Sequence, residues 1–315
     1  MTVSLWVWAL FAILVLSAIA FDLGLLRRSR SGQGELTVRA AAVRSAAWIG
    51  LALLFGLGVM AVYGQSGALT YLTAYVLEES LSIDNIFVFV LIFSELRIPP
   101  PEQRGVLLWG VLGALVLRGL LIAAGLFVLN QFHWVIYPFA ALIIFAAVRL
   151  LWGQRMQREV VAAACSVCGT WVARLIPITP VLHGNRFLVR ERRQLVATPL
   201  FVALIIVETT DIVFALDSVP AVLAITRDPF LVYTSNIFAM LGLRSLYFVL
   251  AGIVERFRYL RAGLAVILVF FGGRMLLSDV IEVPTWISLG VITAALLVSI
   301  AASIGRRSRV SGEAR

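Results

Sequence analysis

Apolar residues along this chain fall into nine runs, each about as long as a helix that crosses a lipid bilayer. Such a crossing requires about 20 predominantly apolar residues. The runs are separated by polar segments and predict an all-α, polytopic transmembrane helical bundle of about nine spans. They cover residues 3–22, 46–63, 69–94, 105–129, 133–152, 198–221, 231–254, 261–280 and 284–304.

The segments between these runs alternate in charge. Every second segment is basic, whereas the intervening ones are short and poor in positive charge. Because basic loops are retained on the cytoplasmic side of a membrane, the pattern predicts an N-terminus outside and a C-terminus in the cytoplasm. The basic segments are 27–44, 97–104, 155–193, 256–261 and 306–309.

The composition supports a membrane protein and argues against a soluble one. Hydrophobic residues make up 61% of the chain and charged residues only 14%, and the mean hydropathy is +1.00. The net charge of +9 would indicate nucleic acid as a partner in a soluble protein. Here the arginines lie in loops and fix topology, so we expect the lipid bilayer and no nucleic acid as a partner.

Carboxylates inside two of the apolar runs are the most informative chemical feature. Glu78 and Asp84 lie in the third run, and Glu208, Asp211 and Asp217 lie in the sixth. An ionised group at that depth costs several kcal/mol unless it is paired, protonated or bound to an ion. A membrane protein with five such groups is most simply explained as one that handles cations.

The two acidic runs also begin an internal repeat. The acidic segment that ends at Asp84 is followed by a Leu-Arg pair at Arg118, and the segment that ends at Asp217 by a Leu-Arg pair at Arg244. The loop charges give the two three-helix units opposite orientations. Inverted repeats place substrate sites near the membrane midplane, where the units meet, and favour alternating access.

The repeat divides the chain into five parts. Two N-terminal helices with a basic loop precede the first repeat, a basic cytoplasmic loop joins the repeats, and one helix with a short tail follows. The predicted boundaries are 1–63, 69–153, 154–197, 198–281 and 284–315.

Helix geometry predicts broken helices at the site. A step of six residues turns an α-helix by about 240°, so Glu78 and Asp84 would not share a face of a straight helix. Pro220 lacks a backbone donor and so frees the carbonyl group of Leu216, next to Asp217, which favours unwinding there. Further oxygen ligands are expected from Ser82, Asn85 and Ser218.

These donors narrow the class of ion. Neither cysteine nor histidine lies well inside a span, and oxygen-rich coordination suits manganese, magnesium or calcium. We expect no catalytic residues and no cofactor, because no nucleophile–base set or cofactor motif appears. Arg118 and Arg244 are candidates for balancing the excess negative charge, or for purely structural ion pairs. Protonation of carboxylates would also balance it, which makes proton-coupled antiport a hypothesis.

The central loop leaves a different class of function open. Residues 154–197 are basic and long enough to dock a soluble partner, so the protein could act as a membrane scaffold. Cys165 and Cys168 form a C-x-x-C spacing there, but a zinc site would need two further ligands.

Two motifs resemble signatures of the TerC family of integral membrane proteins. The first is Glu78-Glu79-Ser80-Leu81-Ser82-Ile83-Asp84-Asn85, and the second is Asp211-Ile212-Val213-Phe214-Ala215-Leu216-Asp217-Ser218-Val219-Pro220. The resemblance extends from about Phe21 to Leu277. Glu79 and Arg274 stand where lysine is common in the family.

The resemblance implies a transporter of the bacterial inner membrane that exports manganese(II). It further implies that Glu78, Asp84, Glu208, Asp211 and Asp217 carry the ion, and it brings the family's historical tellurite-resistance label. The direction of transport follows from the resemblance alone. A calcium or proton exchanger that uses the same pocket remains an alternative, because carboxylates do not separate manganese from calcium.

Overall fold

The computed structural model describes residues 4–29, 38–151, 153–191, 194–251, 259–278, 280–281 and 283–312. Within these ranges nine α-helices and one small hairpin account for most of the chain. The helices are α1 Leu5–Ser29, α2 Val38–Glu95, α3 Pro100–Gln131, α4 Ile136–Leu151, α5 Gly153–Leu175, α6 Pro199–Leu223, α7 Pro229–Leu250, α8 Leu260–Leu276 and α9 Thr285–Gly312, and the strands are β1 Leu188–Glu191 and β2 Gln194–Ala197.

The predicted all-α, polytopic class is confirmed, although the spans differ in number. Five segments of the described chain are long and apolar enough to cross a membrane: α2, α3, His133–Leu151, α6 and Thr285–Ser303. The second and third predicted spans both lie in α2, whose 58 residues are two helices joined at a kink at Gly64. Helix α8 has only 17 residues, and α7 carries the buried polar residues Thr234, Ser235, Asn236 and Arg244.

The predicted central loop is largely structured. Helix α5 begins at Gly153, and β1 pairs antiparallel with β2 so that Val189 lies opposite Val196. In α5, the residues Val161, Cys165, Cys168 and Val172 recur at helical spacing and contact the core. The uncharged run that contains them, residues 160–173, lies between Arg158 and Arg174 and is shorter than a membrane span, so the hydropathy pattern did not mark it as one.

Three helix pairs form the centre of the bundle: α2 with α7, α3 with α6, and α4 with α8. If α2 is exchanged with α6, α3 with α7 and α4 with α8, the same three pairs are obtained. This is the packing that a two-fold repeat requires. The opposite orientation of the two units remains a prediction, and the basic segments before α2 and α8 that support it lie partly outside the described residues.

Apolar core residues on α2, α3 and α6 fall into two groups along each helix. One group packs with α4 and α8, and the other packs with α5 and the hairpin. Charged residues lie between these groups at 78–84 on α2, at 118 on α3 and at 208–211 on α6, and Asp217 lies about two turns beyond Asp211. The fold therefore gathers them into one polar layer between two apolar ones.

The helices that carry the acidic residues are continuous, contrary to the predicted breaks. Helix α6 contains Pro220 without interruption, and the one interruption recorded within α2 is at Gly64. Pro220 lies three residues before the end of α6, where it removes a single backbone hydrogen bond near the terminus. The helix therefore accommodates Pro220 without unwinding at Asp217.

Gly64 divides α2 into its two membrane-length halves. Its backbone angles, φ 72° and ψ −173°, belong to a region that essentially only glycine adopts. A side chain at this position would have nothing within 4 Å to contact, so backbone conformation, and not crowding, selects glycine.

Replacing Gly64 by alanine should destabilise the folded protein by about 1–3 kcal/mol, because a Cβ atom is strained in this conformation. Gly58→Ala is the matched control, since Gly58 is also on α2 with open space around it. Thermal unfolding of the full-length protein in detergent measures both. Equal melting temperatures for the two variants would contradict the assignment of strain to Gly64.

Candidate cation site

Arg118 on α3 is the centre of the polar layer. Its Nη1 pairs with Oε1 of Glu78 on α2. Its Nε and Nη2 donate to Oδ2 and Oδ1 of Asp211 on α6, both at 3.2 Å. The arginine is 2% exposed and the two carboxylates at most 1%. One guanidinium thus ties three helices together through two buried carboxylates.

A small cavity of about 30 Å³ lies beside this arginine. That volume suits roughly one or two occupants the size of a water molecule. Both repeats contribute oxygen atoms to its wall. The polar lining residues are Asp84, Asn85, Arg118, Arg149, Asp217 and Ser218.

Two further arginines hold the carboxylates of this cavity. Arg149, in the last turn of α4, pairs with Asp217, and its side chain is 34% exposed. Arg261, in the first turn of α8, places Nε 3.3 Å from Oδ1 of Asp84. Both aspartates on the cavity wall therefore already face a guanidinium.

Glu208 occupies a separate position in the same layer. It lies one helical turn from Asp211 and packs so closely on Gly113 of α3 that a side chain at Gly113 would overlap the carboxylate. Its Oε2 is buried and has no hydrogen-bond partner among the described residues. Glu208 is not among the residues that line the cavity.

The predicted auxiliary ligands are all buried, but only some of them reach the cavity. Asn85 and Ser218 line it, whereas Ser82 does not. The hydroxyl groups of Ser82 and Ser218 are buried and lack a hydrogen-bond partner in the described part of the chain. Arg244 is buried in α7 and is likewise not part of the cavity wall.

The five predicted carboxylates share a layer but do not converge on one point. No group of three or more histidine, cysteine, aspartate or glutamate side chains within the described residues is close enough to hold a metal ion. Arginines separate them into the pair joined by Arg118, the pair at the cavity, and Glu208. In this arrangement, guanidinium groups supply the positive charge beside four of the five carboxylates.

Sequence reasoning identified Arg118 as a candidate for charge balance but missed Arg149 and Arg261. Arg149 ends an apolar run and Arg261 begins one, so both look like loop arginines that mark a membrane boundary. Their helices start and end close to the site, which the linear pattern does not reveal. The structure, and not the sequence, therefore shows that four of the five carboxylates have arginine partners.

Comparisons with known proteins place the chain in a family. The family model described as integral membrane protein TerC family matches residues 63–311, and the chain belongs to this family. Membrane protein STKORF319 of Myxococcus xanthus, itself uncharacterised, is 46% identical over 297 residues, 94% of this chain and 91% of that protein.

Relatives named Alx are similar over the same extent. The protein from Photorhabdus laumondii is 41% identical, covering 93% of this chain and 92% of its own. The protein from Escherichia coli K12 is 40% identical with the same coverage. Both carry names that give them a proposed role as membrane-bound redox modulators. No solved structure matches the chain.

Arg118→Gln should destabilise the protein by about 3–5 kcal/mol, because it leaves Glu78 and Asp211 buried without their counter-charge. Arg149→Gln removes a pair that is partly exposed and should cost about 1 kcal/mol. Chemical or thermal unfolding in detergent compares the two. A smaller loss for the Arg118 variant than for the Arg149 variant would contradict the central role of Arg118.

Proposed function

We propose that this protein is a secondary transporter that exports divalent manganese, with the polar layer between α2, α3 and α6 as its transport site. The observation that carries this proposal is the cavity at which Asp84 of one repeat and Asp217 of the other meet. Carboxylates buried between apolar layers of a membrane bundle are costly and indicate an ion or proton pathway. A site shared by two repeats is what alternating access uses.

The donors at the cavity define the class of cargo. Asp84 and Asp217 supply carboxylate oxygens, Asn85 an amide oxygen and Ser218 a hydroxyl. Oxygen donors of this kind select hard divalent ions such as Mn²⁺, Mg²⁺ and Ca²⁺ over soft metals. Manganese is the choice within this class that the family resemblance favours.

The other three carboxylates extend the site beyond the cavity. Glu78 and Asp211 are held by Arg118 next to the cavity wall, and Glu208 lies one turn further along α6. An ion that leaves the cavity would meet these groups next. We propose that they form successive positions along one route, and that carboxylates without a cation or arginine partner take up protons in exchange.

The proposed setting is the bacterial inner membrane, with the N-terminus outside and the C-terminus in the cytoplasm. The loop charges support this orientation. Export then moves manganese from the cytoplasm outward, and exchange for protons would use the inward proton gradient.

Two alternatives use different features of the chain. A calcium exchanger would use the same cavity. A scaffold would instead use the central segment, where Val167, Trp171 and Leu175 form an exposed apolar stripe on α5. Docking of a partner on this stripe would not need buried carboxylates, so the two functions are separable by mutation.

A redox role, which the names of relatives raise, has little support in the thiols. Cys165 and Cys168 are the only cysteines of the chain, and both are free and half-buried. Burial raises the pKa of the Cys165 thiol to about 11. At neutral pH the thiolate, which is the reactive form, is therefore scarce.

Asp84→Asn should abolish manganese export, because it removes a charged ligand from the cavity. Cellular manganese, calcium, iron and zinc are measured by mass spectrometry in manganese-loaded cells that lack their own exporters. Wild type should lower manganese, and the variant at equal expression should not. Asp228→Asn is the matched control: Asp228 caps α7, asparagine caps equally well, and export should persist.

The outcomes separate the three functions. A wild type that lowers calcium in place of manganese would favour the exchanger. Unchanged levels of every metal would overturn transport and favour the scaffold, which a deletion within residues 154–197 would then impair.

Gly113→Ala should reduce export without altering any charge, because the added methyl group displaces the Glu208 carboxylate. Gly110→Ala is the control on the same helix interface, where the added methyl group meets Cγ1 of Val207 at 2.9 Å, a milder overlap than that between a methyl group at Gly113 and Oε1 of Glu208. The same cellular assay compares them at matched protein levels. Equal losses in both variants would show that Glu208 has no part in transport.

A further inference from the structure

We propose that Arg261 is a tethered competitor for Asp84, and that the transported cation must displace its guanidinium in order to bind. This inference rests on the proposed function and assigns a specific step of it to a residue outside the carboxylate set. The Arg261 side chain, which extends from the first turn of α8, is then a moving part of the site.

The position of Arg261 supports a competing role. Its side chain reaches from the start of α8 to α2, where Nε lies 3.3 Å from Oδ1 of Asp84. Asp84 is also a wall residue of the cavity. A cation bound in the cavity through Asp84 would therefore lie close to the guanidinium, and two cations repel each other strongly in a poorly solvated site.

The guanidinium is held less firmly than that of Arg118. Both terminal nitrogens of Arg261, Nη1 and Nη2, are buried without a hydrogen-bond partner among the described residues. Arg118, by contrast, donates two hydrogen bonds to Asp211 and forms an ion pair with Glu78. Buried donors that lack acceptors raise the free energy of the arrangement, so leaving Asp84 costs Arg261 comparatively little.

Phe87 provides a place for the displaced group. Cζ of Arg261 lies 3.9 Å from the centroid of the Phe87 ring, within the range of a cation–π interaction. Phe87 follows Asp84 by three residues on α2, so it is a neighbour on the same helix surface. The guanidinium can turn away from Asp84 while it keeps this contact.

Such a competitor makes binding weaker and release faster. While the guanidinium covers Asp84, the site is not competent to bind, and the apparent affinity falls by the competent fraction. When the cation leaves, the guanidinium returns and prevents rebinding from the same side. This is a useful property for an exporter, which must release its cargo.

Arg261→Gln should therefore bind Mn²⁺ more tightly, by about tenfold if the guanidinium covers Asp84 in nine of ten molecules. Binding is measured on the purified full-length protein in detergent, from the loss of the free-Mn²⁺ signal in electron paramagnetic resonance. Arg261→Lys retains the charge and should remain near wild type. Arg274→Gln is the matched control, because Arg274 is a half-buried arginine on the same helix that donates to Ser288.

The outcomes distinguish this inference from the function on which it rests. Tighter binding by the glutamine variant and wild-type binding by the other two is the expected result. Wild-type protein that binds Mn²⁺ with an affinity unchanged or weakened by Arg261→Gln would overturn the role of Arg261 alone. Wild-type protein without saturable Mn²⁺ binding would overturn the manganese site itself, and the competitor with it.

Discussion

Pairing of buried carboxylates with arginines is the interaction on which this structure depends. An unpaired charge in the interior of a membrane protein costs several kcal/mol, and this chain places five carboxylates on two helices there. Arg118 alone joins α2, α3 and α6 through Glu78 and Asp211. The ion pairs thus fix the register of the central helices, and the two apolar layers above and below them close the bundle.

Guanidinium groups supply positive charge at Asp84, Asp217, Glu78 and Asp211, which offsets the cost of burying these carboxylates. Under the proposed function, a cation that enters must take over some of these contacts. Arginine pairs would then set both the stability of the metal-free protein and the affinity for the ion. Membership of the TerC family is consistent with such a site but does not define the cargo.

Much of this architecture could be predicted from the sequence, because membrane helices are encoded in local apolar patterns. Contacts between residues far apart in the chain are not encoded in this way. Long apolar runs predicted the helical bundle, and the acids within them marked the buried carboxylates. The inverted repeat, predicted from the spacing of acids and Leu-Arg pairs, stays a prediction. The predicted break between the second and third runs falls where the structure has it, at the non-helical backbone of Gly64. Helix α5 was missed because its uncharged run, residues 160–173, is shorter than a membrane span and lies between arginines. Partners such as Arg261 and Asp84 are 177 positions apart, and no local pattern encodes their contact.

The most direct test of the central claim is to locate manganese in the folded protein. Crystals grown with Mn²⁺ would be measured at the manganese absorption edge, where anomalous scattering identifies the metal. The account predicts one site in direct contact with Asp84 and Asp217, with the guanidinium of Arg261 moved off Asp84. Manganese bound elsewhere, or bound at the cavity with the Arg261–Asp84 pair intact, would contradict it.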